Sequence, residues 1–157
     1  AQSNLGIMYY YGNGVKQDYQ KAAQWYEKAA AQGLSAAQHN LGVLYSKGLG
    51  VKQDYKKAIE LYEKAAAQGY TDAQNNLGNI YINGHGVKQD YLKAKEWYEK
   101  AAAQGNFSAD NNLGVLYQYG YGVKQNYKKA KDLFGKACDG GYQLGCDNYK
   151  RLNQQGY

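Results

Sequence analysis

Two cysteines, Cys138 and Cys146, and two histidines, His39 and His85, are the side chains of this 157-residue chain with the widest chemical repertoire. The cysteines flank Gly140-Gly141, one at the end of a helical stretch and the other at the start of the next. Antiparallel helices joined in this way can meet the ~5.5 Å Cα separation that a disulfide needs. The alternative is a pair of buried thiols in a reducing compartment. Neither histidine is near the cysteines in sequence, so no zinc-ligand set forms and no metal is expected. The serines are Ser3, Ser35, Ser46 and Ser108; none opens a Ser-x-x-Lys motif, and Lys-Thr-Gly is absent. His39 could act as a general base only toward a nucleophile from another part of the chain. The Gly-x-Gly segments are not phosphate cradles, because no strand precedes them and no Gly-Lys-Ser/Thr follows. The chain reads as a non-enzyme that needs no cofactor.

The elements that carry these residues repeat. Asn-Leu-Gly occurs at residues 4, 40, 76 and 112, a constant step of 36, and Gly-Val-Lys-Gln-Asp-Tyr begins at Gly14, Gly50, Gly86 and Gly122, with Asn126 in place of the last Asp. A fixed period of this size marks a stacked-repeat architecture, in which each unit buries its apolar face only against neighbours. Ala1 is in register with Ala37, Ala73 and Ala109. On that register the chain reads as starting inside a repeat, as expected of a processed or excised fragment.

Residues 35 to 69 show the unit. Ser35 is the N-cap candidate of a first helix carrying Ala37, Leu41, Leu44 and Tyr45 at helical spacing. Gly48 and Gly50 turn the chain, Asp54 caps a second helix with Tyr55, Ala58, Tyr62, Ala65 and Ala66 on one stripe, and Gly69 stops it before Thr71. There is no Pro and no alternating pattern, so the chain is all-α. Gly42 and its equivalents Gly6, Gly78 and Gly114 sit in mid-helix, where Gly costs ~1 kcal/mol relative to Ala. This predicts close approach of the paired helices, with Ala58 facing Gly42 and with Tyr45 and Tyr62 filling the spaces between units. Residues 142–154 lose the pattern, with Tyr149, Lys150 and Asn153 replacing Leu, Gly and Tyr. They read as a C-terminal capping helix. The division expected is one solenoid domain, 1–157, with repeats 1–34, 35–70, 71–106 and 107–141.

The net charge of +6 does not make a nucleic-acid binder. Lys28, Lys64, Lys100 and Lys136 lie in last turns, where cations suit the helix dipole. Glu60, Glu96 and Asp132 precede three of them by one turn. Lys16, Lys52, Lys88 and Lys124 form a sparse stripe, and Arg151 is the only Arg. No apolar run reaches the ~20 residues of a membrane span.

The pattern Ala-x-x-x-Leu-Gly-x-x-Tyr-x-x-Gly-x-Gly-Val-x-x-Asp-Tyr-x-x-Ala, followed by Trp25-Tyr26-x-Lys28-Ala29-Ala30-x-x-Gly33, resembles the Sel1-like repeat, a relative of the tetratricopeptide repeat with a longer inter-helix loop. Leu61 and Leu133 replace Trp25 and Trp97. The resemblance implies a right-handed α-α superhelix whose first helices line a concave face, and an adaptor role. Cys138 and Cys146 resemble the bridged pair of the Helicobacter cysteine-rich subgroup; the earlier repeats have Ala30 with Gln38, Ala66 with Gln74 and Ala102 with Asp110 instead.

Asn4, Asn40, Asn76, Asn112 and Asn148 keep the 36-residue step although Asn is a mediocre helix former. By resemblance to tetratricopeptide relatives, such an Asn bonds the backbone of an extended peptide; the alternative is a bond to the backbone of the adjacent unit. Beside them the first-helix face varies from unit to unit: Ser3, Ile7, Tyr10 and Tyr11; His39, Val43, Ser46 and Lys47; Asn75, Asn79, Ile82 and Asn83; Asn111, Val115, Gln118 and Tyr119. The reading is a monomeric, non-enzymatic scaffold that holds a protein or peptide on this face through Asn40, Asn76 and Asn112 and the varied positions around them. A bridged cysteine pair places it in a secreted or periplasmic setting, free thiols in the cytoplasm. One alternative is a secreted, cysteine-bridged relative with weak penicillin-binding or β-lactamase-like activity. Another is an engineered or consensus-like array without a native partner.

Overall fold

A computed structural model describes residues 2–157; Ala1, placed by the sequence in register with Ala37, lies outside the described residues. The described residues form helices and no strand: α1 (Gln2–Tyr11), α2 (Tyr19–Ala31), α3 (Ser35–Lys47), α4 (Tyr55–Ala67), α5 (Thr71–Asn83), α6 (Tyr91–Ala103), α7 (Phe107–Tyr119), α8 (Tyr127–Asp139) and α9 (Gln143–Gln154). They divide into two compact units. One runs to Ala73 and includes His85–Val87; the other comprises Gln74–Gly84 and Lys88–Tyr157.

Local signals account for the helix ends. Asp18, Asp54 and Asp90 each accept the backbone N–H three residues on, at 3.0 Å, and Asn126 does the same for Lys129 at 2.9 Å. The Asp-to-Asn change in the last loop therefore keeps the cap. Ser35 is not a cap. Leu34 holds the N-cap position of α3 without a side-chain bond, and Ser35 is the first helical residue. Gly48 ends α3 at φ 67°, and its N–H donates to the Leu44 carbonyl. Gly50, also at φ 67°, lies so close to the backbone of Tyr19 and Gln20 that a Cβ would overlap it.

The mid-helix glycines serve a different contact from the one expected. A Cβ at Gly42 would meet the ring of Tyr62, not Ala58, and Gly6, Gly78 and Gly114 are covered in the same way by Tyr26, Tyr98 and Phe134. A ring is broader than a methyl group, so the paired helices are joined by aromatic on glycine. Tyr62 therefore packs inside its own pair. Tyr45 does reach the preceding pair: its hydroxyl donates to Glu27 Oε1 at 3.0 Å and receives the Lys57 ammonium at 2.6 Å.

In the first unit Ala22, Tyr26, Ala37, Leu44, Ala58 and Tyr62 are among the buried residues. In the second, Ala94, Tyr98, Ala101, Ala109, Leu113 and Leu116 make one apolar cluster, and Ala130, Phe134 and Leu152 another. Of α9 only Gly145 and Leu152 are buried, which leaves the polar face expected of a cap.

Two polar seams run along these contacts. Within pairs, Gln32 donates to Gln2, Gln68 to Gln38 and Gln104 to Gln74, at 2.9–3.0 Å. In the fourth pair Gly140 and Asp110 hold those places, and the Phe107 ring covers Gly140. Asp110, 1% exposed, instead takes the Lys136 ammonium at 2.8 Å. The expected Asp132–Lys136 pairing is thereby displaced by a buried partner. Lys28 and Lys100 lie over the rings of Trp25 and Trp97, at 4.5 and 4.4 Å from their centroids, so the Glu96–Lys100 pairing is displaced as well. Between pairs, Gln38 donates weakly to the Ala30 carbonyl at 3.4 Å. The same two positions one, two and three repeats on end at Cys138 and Cys146, which are joined in a disulfide with a Cα separation of 4.5 Å.

Candidate functional site

The first unit holds a cleft of about 290 Å³ on the first-helix face. Ile7, Tyr10 and Tyr11 come from α1, His39, Asn40 and Val43 from α3, and Tyr26 of α2 forms the floor. One helical turn separates Ile7 from Tyr10 and Tyr11, and likewise Asn40 from Val43, so each helix presents a continuous wall. Tyr10 meets Tyr11 edge-on at 4.8 Å and Tyr19 at 5.4 Å, which fixes its ring. Ile7 and Tyr11 remain 36% and 65% exposed at the rim.

Asn40 organises the polar end. Its amide bonds the Tyr26 hydroxyl, and its Oδ1 lies 3.1 Å from His39 Nδ1, as an acceptor when that nitrogen carries the proton. Burial, then the neighbouring Tyr11 and Tyr10, push the Tyr26 phenol up to about 12, with the Asn40 bond opposing. Burial also lowers the His39 imidazole below its ordinary value, against the Asn40 bond and the Asp72 charge. His39 sits beside Tyr62 and Tyr70, with ring centroids 5.8 and 5.0 Å away. The cleft thus combines an apolar wall with three phenols, an imidazole and one amide.

The same face of the second unit is consolidated by amides. Tyr98 donates to Asn79 Oδ1 at 2.7 Å; Asn112 donates to Asn75 Oδ1 at 3.0 Å and to Asn79 Oδ1 at 3.3 Å. Asn148 donates to Asn111 Oδ1 at 2.8 Å, and Arg151 to Asn148 at 3.0 Å. Asn40, Asn112 and Asn148 therefore bond side chains of the preceding pair. Asn75, Asn111 and Gln118 are buried, so burial withdraws them from a surface partner. Asn76, Asn79 and Asn112 are half-buried, while Lys47, Asn83 and Tyr119 are exposed. Asn83 turns back on its own helix and donates to the Asn79 carbonyl at 2.8 Å.

Tyr26 was not legible as a site residue. Its register with Tyr62, Tyr98 and Phe134 reads as core, and it is 2% exposed. The signal that could have found it is the hydroxyl, kept at three positions and dropped at Phe134.

Helix pairs with this loop and this glycine-aromatic joint define a class of repeat protein. The Sel1 repeat profile matches residues 1–34, 35–70, 71–106 and 108–142, and the chain belongs to the Sel1 repeat family. Among solved structures it is similar to c5321, described as a protective antigen present in uropathogenic Escherichia coli strains and displaying an SLR fold. The two are 41% identical with a TM-score of 0.90, over 99% of this chain and 33% of that one. A Sel1 repeat protein from Oxalobacter formigenes is 35% identical with a TM-score of 0.93, over 99% of this chain and 63% of that one. Helicobacter pylori cysteine rich protein B is 30% identical with a TM-score of 0.64, over 87% of this chain and 98% of its own. The chain thus spans a third of the first relative's length and under two thirds of the second's. No curated protein matches it. Among the described residues no helix is long and apolar enough to cross a membrane.

Proposed function

We propose that the chain is a non-enzymatic binding module that holds a protein or peptide segment on its first-helix face. One observation carries this reading: the cleft of the first unit is lined by Ile7, Tyr10, Tyr11, His39 and Val43, positions that differ between otherwise repeated units. Its volume, about 290 Å³, lies at the small end of ligand pockets and suits one or two side chains of an extended segment. In the first unit Asn40 and Lys47 would contact such a segment; in the second, taken by itself, Asn76, Asn79, Asn83, Asn112 and Tyr119 are the corresponding candidates. The disulfide leaves neither cysteine as a nucleophile, which favours binding over catalysis. It also favours an oxidising setting, secreted or periplasmic. The description of one similar structure as a protective antigen is in keeping with that setting. We read the module as a monomer.

The test begins with selection of peptides from a displayed random library on the immobilised chain. The selected peptide is then titrated into isotopically labelled protein. Amide shifts at Ile7, His39, Asn40 and Val43, with weaker binding in Asn40→Ala, are expected. Shifts confined to the outward faces of α2 and α4 would refute the reading.

A further inference from the structure

A second concave surface lies on the loop side of the first unit, away from the first-helix cleft. It encloses about 710 Å³ and is lined by Tyr45, Val51, Lys52, Asp54, Lys56 and Lys57, with Gln53, Tyr55 and Gly86 completing it. Three ammonium groups face one carboxylate there. That carboxylate is engaged, since Asp54 Oδ1 accepts the Lys57 backbone N–H at 3.0 Å. Gln53 is engaged as well, donating to the Ser46 carbonyl at 2.8 Å and to the Tyr55 hydroxyl at 3.1 Å. Lys57 lies over the Tyr45 ring, 4.3 Å from its centroid, with Glu27 beyond the Tyr45 hydroxyl. Lys52 and Lys56 are exposed and make no ion pair among the described residues.

We propose that this cleft docks an acidic peptide segment of a partner protein, with carboxylates at Lys52 and Lys56 and an intervening apolar side chain against Val51. Charge complementarity selects an anion, and the rest of the lining selects which kind. Phosphate-rich polymers are favoured by arginine forks and a dense positive field, and the cleft offers neither. Asp54 would repel a closely charged chain, whereas a peptide can place its carboxylates to either side. Nucleobases need open aromatic faces to stack on. Tyr55 is already stacked on His85, with ring centroids 4.7 Å apart. Discrete carboxylates separated by an apolar residue fit what remains. This surface shares no residue with the first-helix cleft, so a chain could hold two segments of one partner and gain avidity.

The probe is a blocked Glu-Glu-Leu-Glu-Glu peptide titrated into labelled full-length chain, with Gln-Gln-Leu-Gln-Gln as its neutral counterpart. The acidic peptide should shift the amides of Val51, Lys52, Tyr55 and Lys56, leaving Asn40 and Val43 in place. Lys52→Gln with Lys56→Gln should weaken it roughly 2- to 30-fold, the range of two exposed ion pairs, while Lys28→Gln should not change it. Higher salt should weaken it too, since exposed charges are screened beyond ~10 Å at 0.1 M. Equal binding of the neutral peptide, or unchanged binding in the double variant, overturns the proposal. So does a short RNA that shifts the same amides at lower concentration than the acidic peptide does.

Discussion

The ring of Tyr62 occupies the space that a side chain at Gly42 would need: a Cβ built there lies 2.7 Å from Tyr62 Cε1 and 2.9 Å from Cδ1. Tyr62 is 3% exposed and Ala65 beside it is fully buried, so the ring has little room to retreat. The glycine is thus a seat for the ring, and the two residues form one packing element repeated in every helix pair.

Gly42→Ala should therefore destabilise the chain, against its helix propensity. Propensity offers a gain of ~1 kcal/mol, while forcing a methyl group into a filled core costs ~1–3 kcal/mol. A net loss of up to about 2 kcal/mol is expected in urea unfolding. Adding Tyr62→Leu, which clears the ring, should recover part of it. A more stable Gly42→Ala variant would dismiss the packing account.

Cleaving the disulfide should loosen α9 before anything else. The bridge closes a short loop, with a sequence separation of 8, worth ~2–3 kcal/mol in the chain-entropy model. Cys138→Ser with Cys146→Ser should lower stability by about that amount and speed amide exchange in residues 143–154. Mass spectrometry of unreduced protein should find the two cysteines linked, and two free thiols after oxidative production would contradict the structure.

Removing one asparagine of the series should separate a structural role from a binding one. Asn112→Ala loses the bonds to Asn75 and Asn79, a cost of ~1–2 kcal/mol. Asn4→Ala, at an exposed position, should stay within about 0.5 kcal/mol of the parent. Equal melting temperatures for the two variants would show that the amide network does not hold the pairs together.

Acid should weaken the first unit through His39. Burial keeps its imidazole below the ordinary value, so the folded state favours the neutral ring. That stability is complete above the ordinary histidine value, ~6.5, and is lost as pH falls through the lower folded value. Between pH 7 and 5 the parent should lose more stability than His39→Asn, which carries the residue found at Asn75 and Asn111. Parallel pH profiles for the two proteins would rule out this role.

The helices and loops could be read from the sequence because their signals are local. Asp54 caps the next three residues, and Gly48 bends its own backbone, so neither needs a partner from elsewhere. Side-chain partners are set by packing across helices, and there the sequence misleads. Asp132 stands one turn from Lys136, yet the ammonium goes to Asp110, whose buried carboxylate has more need of it. The varied face was visible as variation, and its cleft in the first unit follows from Ile7, Tyr10 and Val43. That Asn75, Asn111 and Gln118 on the same face would be buried depends on which neighbours cover them, which a period cannot reveal.

Gly50 meets the main chain of Tyr19 and Gln20, Gly86 the Cβ of Tyr55, and Gly122 the Cβ of Tyr91. Atoms common to almost every amino acid make these joints, so a copied segment finds a fitting seat on whatever copy precedes it. Gene duplication can then lengthen such an array without inventing a new interface, and mutation is left free to diversify the surfaces that the joints do not use.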